Sequence, residues 1–118
     1  MTGATAVATE LFARDGFTVA RVEGEIDISN SIELETELSH AVPNDARGLV
    51  LDLSAVPIMD SSAIRALFDL AARLGGHRQL LHLVLPEASA LRRTLGMLQV
   101  TAVMPVFASL EEATADQP

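Results

Sequence analysis

The run Leu49-Val50-Leu51-Asp52-Leu53 is almost unbroken in apolar side chains, with Asp52 near its end. A strand with one wet face alternates apolar and polar residues, so this pattern predicts a strand over 47–53 that is buried on both faces and central in its sheet. A short loop follows, and then a helix: from Ile64 the apolar positions Leu67, Phe68, Ala71 and Leu74 recur at helical spacing, and Gly75-Gly76 supplies the expected stop. Asp60 is the natural N-cap. Met59 before it and Ile64 at the fourth helical position form the pair of a hydrophobic staple, which leaves Ser61 and Ser62 in the first turn.

The flanking sequence extends this strand-and-helix unit in both directions. Upstream, 5–14 and 17–25 read as strands joined at Asp15-Gly16, a hairpin signal that predicts antiparallel pairing. Asn30 with Glu33 matches a capping box opening a helix through 42, whose apolar line is Leu34, Leu38 and Ala41 and which Pro43-Asn44-Asp45 ends. Downstream, 79–85 is another apolar strand, Pro86 starts a helix through 95, and Gly96 is placed to terminate it. A last strand is expected at 102–107 and a short acidic helix, carrying Glu111-Glu112, at 109–115. Alternating strands and helices after a hairpin predict an α/β fold: a single domain over 1–118 with a mixed, mostly parallel β-sheet, an N-terminal hairpin and helices packed on it. With 118 residues and 49 % hydrophobic content the chain is long enough for one core, expected over about 5–113, with frayed ends at 1–4 and 114–118.

Charge and composition remove many function classes. A formal charge of -8 opposes the phosphate contacts of nucleic-acid binding and the pull of anionic membranes. No apolar run approaches the roughly 18 residues of a membrane span, and 1–13 carries no basic leader, so the expected location is cytoplasmic. All eight basic residues are Arg, and Lys, Cys, Trp and Tyr are missing. That excludes a P-loop lysine, a Schiff base, a thiol nucleophile and a cysteine metal site. The turn Met59-Asp60-Ser61-Ser62-Ala63 lacks both glycines of a hydrolase nucleophile elbow. His40, His77 and His82 lie in separate elements without metal-ligand spacing and are expected at the surface or at strand edges. No metal and no cofactor is expected, and the chain reads as a non-enzyme.

The two serines remain. Both fit plain helix capping, yet a phosphate on a first-turn serine would face unpaired backbone N–H groups and the positive end of the helix dipole, so the helix would tolerate it. It would add about 1.5 to 2 negative charges to whatever surface met a partner. The apolar strand, Asp60-Ser61-Ser62 and the helix beyond resemble the STAS domain of bacterial anti-sigma factor antagonists, and upstream Gly24-Glu25-Ile26-Asp27 resembles that family's Gly-Glu-(Leu/Ile)-Asp segment. The resemblance covers nearly the whole chain. It departs at Ala63, where many members have Gly, and at Arg65, where a second small residue is common. Ala is the better helix former by about 1 kcal/mol, so the helix is expected to survive the change.

The resemblance implies a non-catalytic switch. Ser61 would be the phosphoacceptor, with Ser62 as second choice, because the family pattern alone separates two chemically equivalent hydroxyls. The unphosphorylated form would bind an anti-sigma factor that is also the ATP-using serine kinase, releasing a sigma factor, and a separate phosphatase would restore the free serine. Asp27, Asp60, Ser61 and Ser62 form the implied partner-binding set, gathered where strands deliver their C-terminal ends. Asp27 has a second reading as a cap before Ser29 to Ser31. The chain is expected to be a monomer or weak dimer. A constitutive STAS scaffold or sensor-complex subunit without the phosphoswitch is the alternative. Glu33 and Glu37 read as a solvated face, and Ile58 with Met59 is expected to pack beneath the rim.

Overall fold

Asp15 and Gly16 both take positive φ, 52° and 88°, the pair of left-handed conformations that turns one strand back on another with the sheet's natural twist. The turn joins β1 (Ala8–Arg14) to β2 (Phe17–Glu23) in an antiparallel hairpin running from Ala8 opposite Glu23 to Arg14 opposite Phe17. The computed structural model describes residues 7–115. After the hairpin come α1 (Ser31–Ala41), β3 (Gly48–Ala55), α2 (Ser61–Gly76), β4 (Leu80–Val84), α3 (Ala90–Met97), a 3-10 turn (Val100–Ala102), β5 (Val106–Phe107) and α4 (Leu110–Thr114). Spatial order follows chain order, β1-β2-β3-β4-β5, and every pair after the first is parallel. The fold is therefore the expected mixed α/β sheet, with β3 at its centre.

The two faces of β3 explain its unbroken apolar run. Leu49, Leu51 and Leu53 join the main core with Leu34 and Leu38 of α1, Leu67, Leu70 and Leu74 of α2, and Leu91 and Leu95 of α3. Val50 points the other way into a smaller cluster with Phe17, Val19, Val84 and Ala113. Among the described residues α4 is the helix that covers that face, and it contacts β3, β4 and β5. Asp52 and Ser54 lie further along the same side, half-buried and exposed, where that cover ends. Asp52 there meets Arg21, with Nε to Oδ2 at 3.5 Å.

Several local expectations are corrected by the structure. The Asn30 side chain makes no capping bond to α1; its Oδ1 accepts from Asp27 N–H at 3.0 Å and its Nδ2 donates to the Glu25 carbonyl at 3.0 Å. Gly75-Gly76 does not stop α2, which runs through both and ends when Arg78 adopts φ 60°. Leu74 O then accepts from Gln79 N and Gly75 O from Arg78 N, at 2.9 and 3.0 Å, a Schellman closure with arginine where glycine usually sits. Helix α3 begins after Ser89, not at Pro86, because the Ser89 hydroxyl accepts from Arg92 N–H at 3.2 Å while Pro86 heads the preceding turn. It also continues through Gly96.

The strand expected at 102–107 is reduced to Val106–Phe107. Upstream, the buried residues Val100 and Met104 are four apart and their backbones bond at 3.0 Å, a helical spacing that points both into the core. His82 is not at the surface or a strand edge: it is 4 % exposed on β4, its Nδ1 lies 2.8 Å from the Ala113 carbonyl, and its ring sits 5.2 and 4.9 Å from those of Phe17 and Phe107. His77 is exposed, and His40 closes α1 away from the sheet. Thr114 does not fray; it is buried, and its hydroxyl donates to Leu110 O at 3.0 Å. The remainder of the ends expected to fray, 1–4 and 116–118, lies outside the described residues, apart from Ala115, which follows α4.

Candidate functional site

Near the end of β2 the register against β3 shifts, between Arg21 and Glu23, and Gly24, at φ 113°, turns the chain so that its N–H meets Ala55 O at 3.1 Å. The two strands meet once more at a single parallel bridge between Ile26 and Met59, both buried. Ile26 N–H donates to Ile58 O at 3.4 Å and Asp60 N–H to Ile26 O at 3.3 Å. This bridge brings the Gly24–Asp27 and Asp60–Ser62 segments, far apart in sequence, onto one rim at the C-terminal ends of the strands.

Asp60 holds the rim together. Its Oδ1 accepts from Ala63 N–H at 2.9 Å, the N-cap bond expected of it, and its Oδ2 accepts from Ile28 N–H at 3.0 Å. One carboxylate thus starts α2 and anchors the loop that leads into α1. Asp27 closes the turn ahead of α1 but is not the cap of that helix, whose N-cap position is Asn30: its Oδ1 accepts from the Ser29 N–H and hydroxyl, and its carbonyl accepts from Asn30 and Ser31 N–H at 3.1 and 2.8 Å. With the two Asn30 side-chain bonds, the loop 25–31 is internally closed before any partner arrives.

Ser61 is exposed and Ser62 half-buried, side by side on the first turn of α2. Among the described residues neither hydroxyl has a hydrogen-bond partner, so neither acts as a cap; Asp60 has that role. A hydrolytic serine needs a base within reach. His77 lies at the other end of the 16-residue α2, about 24 Å away at 1.5 Å per residue. His40 lies in the last turn of α1, and His82 is buried against α4 on the opposite face of the sheet. Among the described residues no group of three or more His, Cys, Asp or Glu is disposed to hold a metal ion, and no helix is long and apolar enough to cross a membrane.

The rim also carries exposed apolar residues, of which Ile28 and Ile32 were not singled out by local patterning. Ile28 and Ile32 are 77 % and 74 % exposed, and Ile58 is 57 % exposed, contrary to its expected packing beneath the rim; Met59 alone turns inward. The signal for Ile28 and Ile32 was present, since both stand off the Leu34–Leu38 line. Glu33 and Glu37 are exposed, as expected of a solvated face.

A family model for the STAS domain matches residues 8–113. The chain belongs to the STAS domain family. This STAS domain is 24 % identical over 113 residues to the anti-sigma-F factor antagonist RsfB of Mycobacterium tuberculosis, an alignment spanning 96 % of this chain and 91 % of RsfB. It superimposes on the crystal structure of an anti-sigma factor antagonist from Mycobacterium paratuberculosis with TM-score 0.79 and 27 % identity, covering 92 % of this chain and 91 % of that one. The Bacillus cell fate determinant SpoIIAA in its phosphorylated form shares the fold at TM-score 0.65 and 20 % identity, over 90 % of this STAS domain and 96 % of SpoIIAA.

Proposed function

We propose that this STAS domain is an anti-sigma factor antagonist, a non-catalytic protein that binds an anti-sigma factor through the rim and thereby releases a sigma factor. Phosphorylation of Ser61 ends the binding. The observation that carries this reading is Ser61 itself: an exposed hydroxyl with no partner among the described residues, on a capped first turn, beside the closed loop of Asp27, in a STAS chain whose relatives are named antagonists. Asp27, Asp60, Ser61 and Ser62 form the contact surface. Ser61 is favoured over Ser62 as acceptor because it is the more exposed of the two.

The switch follows from charge. A phosphate at Ser61 lies at the positive end of α2, so the helix stays folded, while the rim gains about 1.5 to 2 negative charges. That rim already carries Glu25, Asp27 and Asp60. A desolvated contact that must accommodate an unpaired phosphate loses several kcal/mol, and each 1.4 kcal/mol is about tenfold in affinity. The bound anti-sigma factor is taken to be the ATP-using serine kinase, with a separate phosphatase resetting the switch and the antagonist acting as a monomer or weak dimer.

The test is a pull-down with wild type, Ser61→Ala and Ser61→Asp, together with intact mass of the wild type before and after ATP. Retention of an anti-sigma factor by wild type and Ser61→Ala, loss by Ser61→Asp of about a hundredfold or more in affinity, and one added phosphate on Ser61 are the expected results. Equal binding by all three without phosphate transfer rejects the switch and leaves a constitutive STAS scaffold.

A further inference from the structure

Ile28 and Ile32 do more than break the surface at random. They form one wall of a groove between α1 and α2, about 260 Å³ in volume, whose opposite wall is Ser62, Arg65, Ala66 and Asp69. On α2 those positions are spaced three and four apart, so they make a single ridge; Ile28, Ile32 and Glu35 make the facing ridge, with buried Ser31 low between them. From Ser62 to Asp69 the groove runs about 10 Å, two helical turns. Two parallel ridges with small residues between them present the shape into which a ridge of a third helix packs.

Charge identifies what that helix carries. Asp60, and beside it across the Ile26–Met59 bridge Glu25 and Asp27, stand at the groove's Ser62 end, and Asp69 lines the other; Glu35 is engaged by Arg73 at 3.5 Å. Against these, Arg65 is the cation of the groove wall among the described residues. An apolar centre with an acidic margin suits apolar side chains flanked by Arg or Lys. A second copy of this chain, at a formal charge of -8, would set acidic rim against acidic rim.

We propose that the α1–α2 groove receives a basic amphipathic helix of the partner protein, with Ile28 and Ile32 as its main apolar contacts. The proposal rests on the antagonist reading in one respect: Ser62, next to Ser61, belongs to the groove wall, so the same partner meets groove and switch together.

Photocrosslinking tests it and identifies the partner in the same step. The photoreactive residue p-benzoylphenylalanine is placed at Ile32, and separately at Glu37 on the solvated side of α1, in the full chain expressed in its native cells. Adducts are mapped by mass spectrometry. The expected result is an adduct from position 32, and none from 37, to a helical segment with Arg or Lys on either side of its apolar residues. For the protein so identified, Ile28→Ser with Ile32→Ser lowers affinity by about tenfold or more, with the melting temperature unchanged because both side chains are exposed. No adduct at position 32, an adduct to a second copy or to an acidic segment, or unchanged affinity in the double variant overturns it. The two readings fail separately. A complex lost in Ser61→Asp but intact in the double variant removes the groove and keeps the switch, whereas one lost in the double variant but indifferent to Ser61→Asp keeps the groove and removes the switch.

Discussion

At the scale of single residues, Asp60 shows how much one carboxylate can organise. Its two oxygens accept from N–H groups of two different elements, those of Ala63 and Ile28. An N-cap contributes about 1 kcal/mol and the second bond about another, so Asp60→Ala is expected to destabilise the domain by about 2 kcal/mol in chemical denaturation. Asp60→Asn, with one acceptor oxygen left, should recover about half. The cap was legible in the local pattern Asp60-Ser61-Ser62-Ala63, whereas the bond to Ile28 joins residues 32 apart and left no local trace. Ala63 is buried and supplies the capped N–H, so Ala in place of Gly at this position strengthens the helix start.

Among the elements, helix ends were harder to read than helix faces. The apolar stripe of α2 was visible because burial imposes a period on a dozen residues, but its end depends on where β4 must begin. Gln79, buried just past the helix, donates to Pro43 O and Ala46 O at 2.8 and 3.1 Å, and this fixed point forces Arg78 into φ 60°. A left-handed conformation costs an L side chain about 1 kcal/mol that glycine does not lose. Arg78→Gly is therefore expected to stabilise the protein by about 1 kcal/mol, read as a rise in melting temperature of about 4 °C or more. Neighbours likewise shortened β5 to two residues, whereas the start of α3 is set locally, by the Ser89 hydroxyl on Arg92 N–H.

Across the whole molecule, the sheet has one thickly covered face and one covered by α4, and His82 fastens that second cover. Its ring packs with Phe17 and Phe107, and its Nδ1 pairs with the Ala113 carbonyl. His82→Ala leaves both a cavity and an unpaired carbonyl, and about 3 kcal/mol of destabilisation is expected. Amide hydrogen exchange should speed up most over 110–114. Equal acceleration in α1 would show that α4 is not held locally by this residue. The burial of His82 was not legible in its own strand, because an isolated histidine carries no sign of which face a later helix will cover.

The sequence by itself determined the α/β class, the hairpin, the central strand and the capped start of α2, because each depends on periodicity, turn chemistry or side-chain hydrogen bonding within a few residues. It also carried the two motifs that resemble the STAS family. Only the tertiary structure decided that those motifs share one rim through the Ile26–Met59 bridge, that Ile28 and Ile32 line a groove against α2, and that His82 is buried. These are contacts between residues distant in the chain, and the chain's local preferences do not specify which distant partner fills a given space until the sheet has formed.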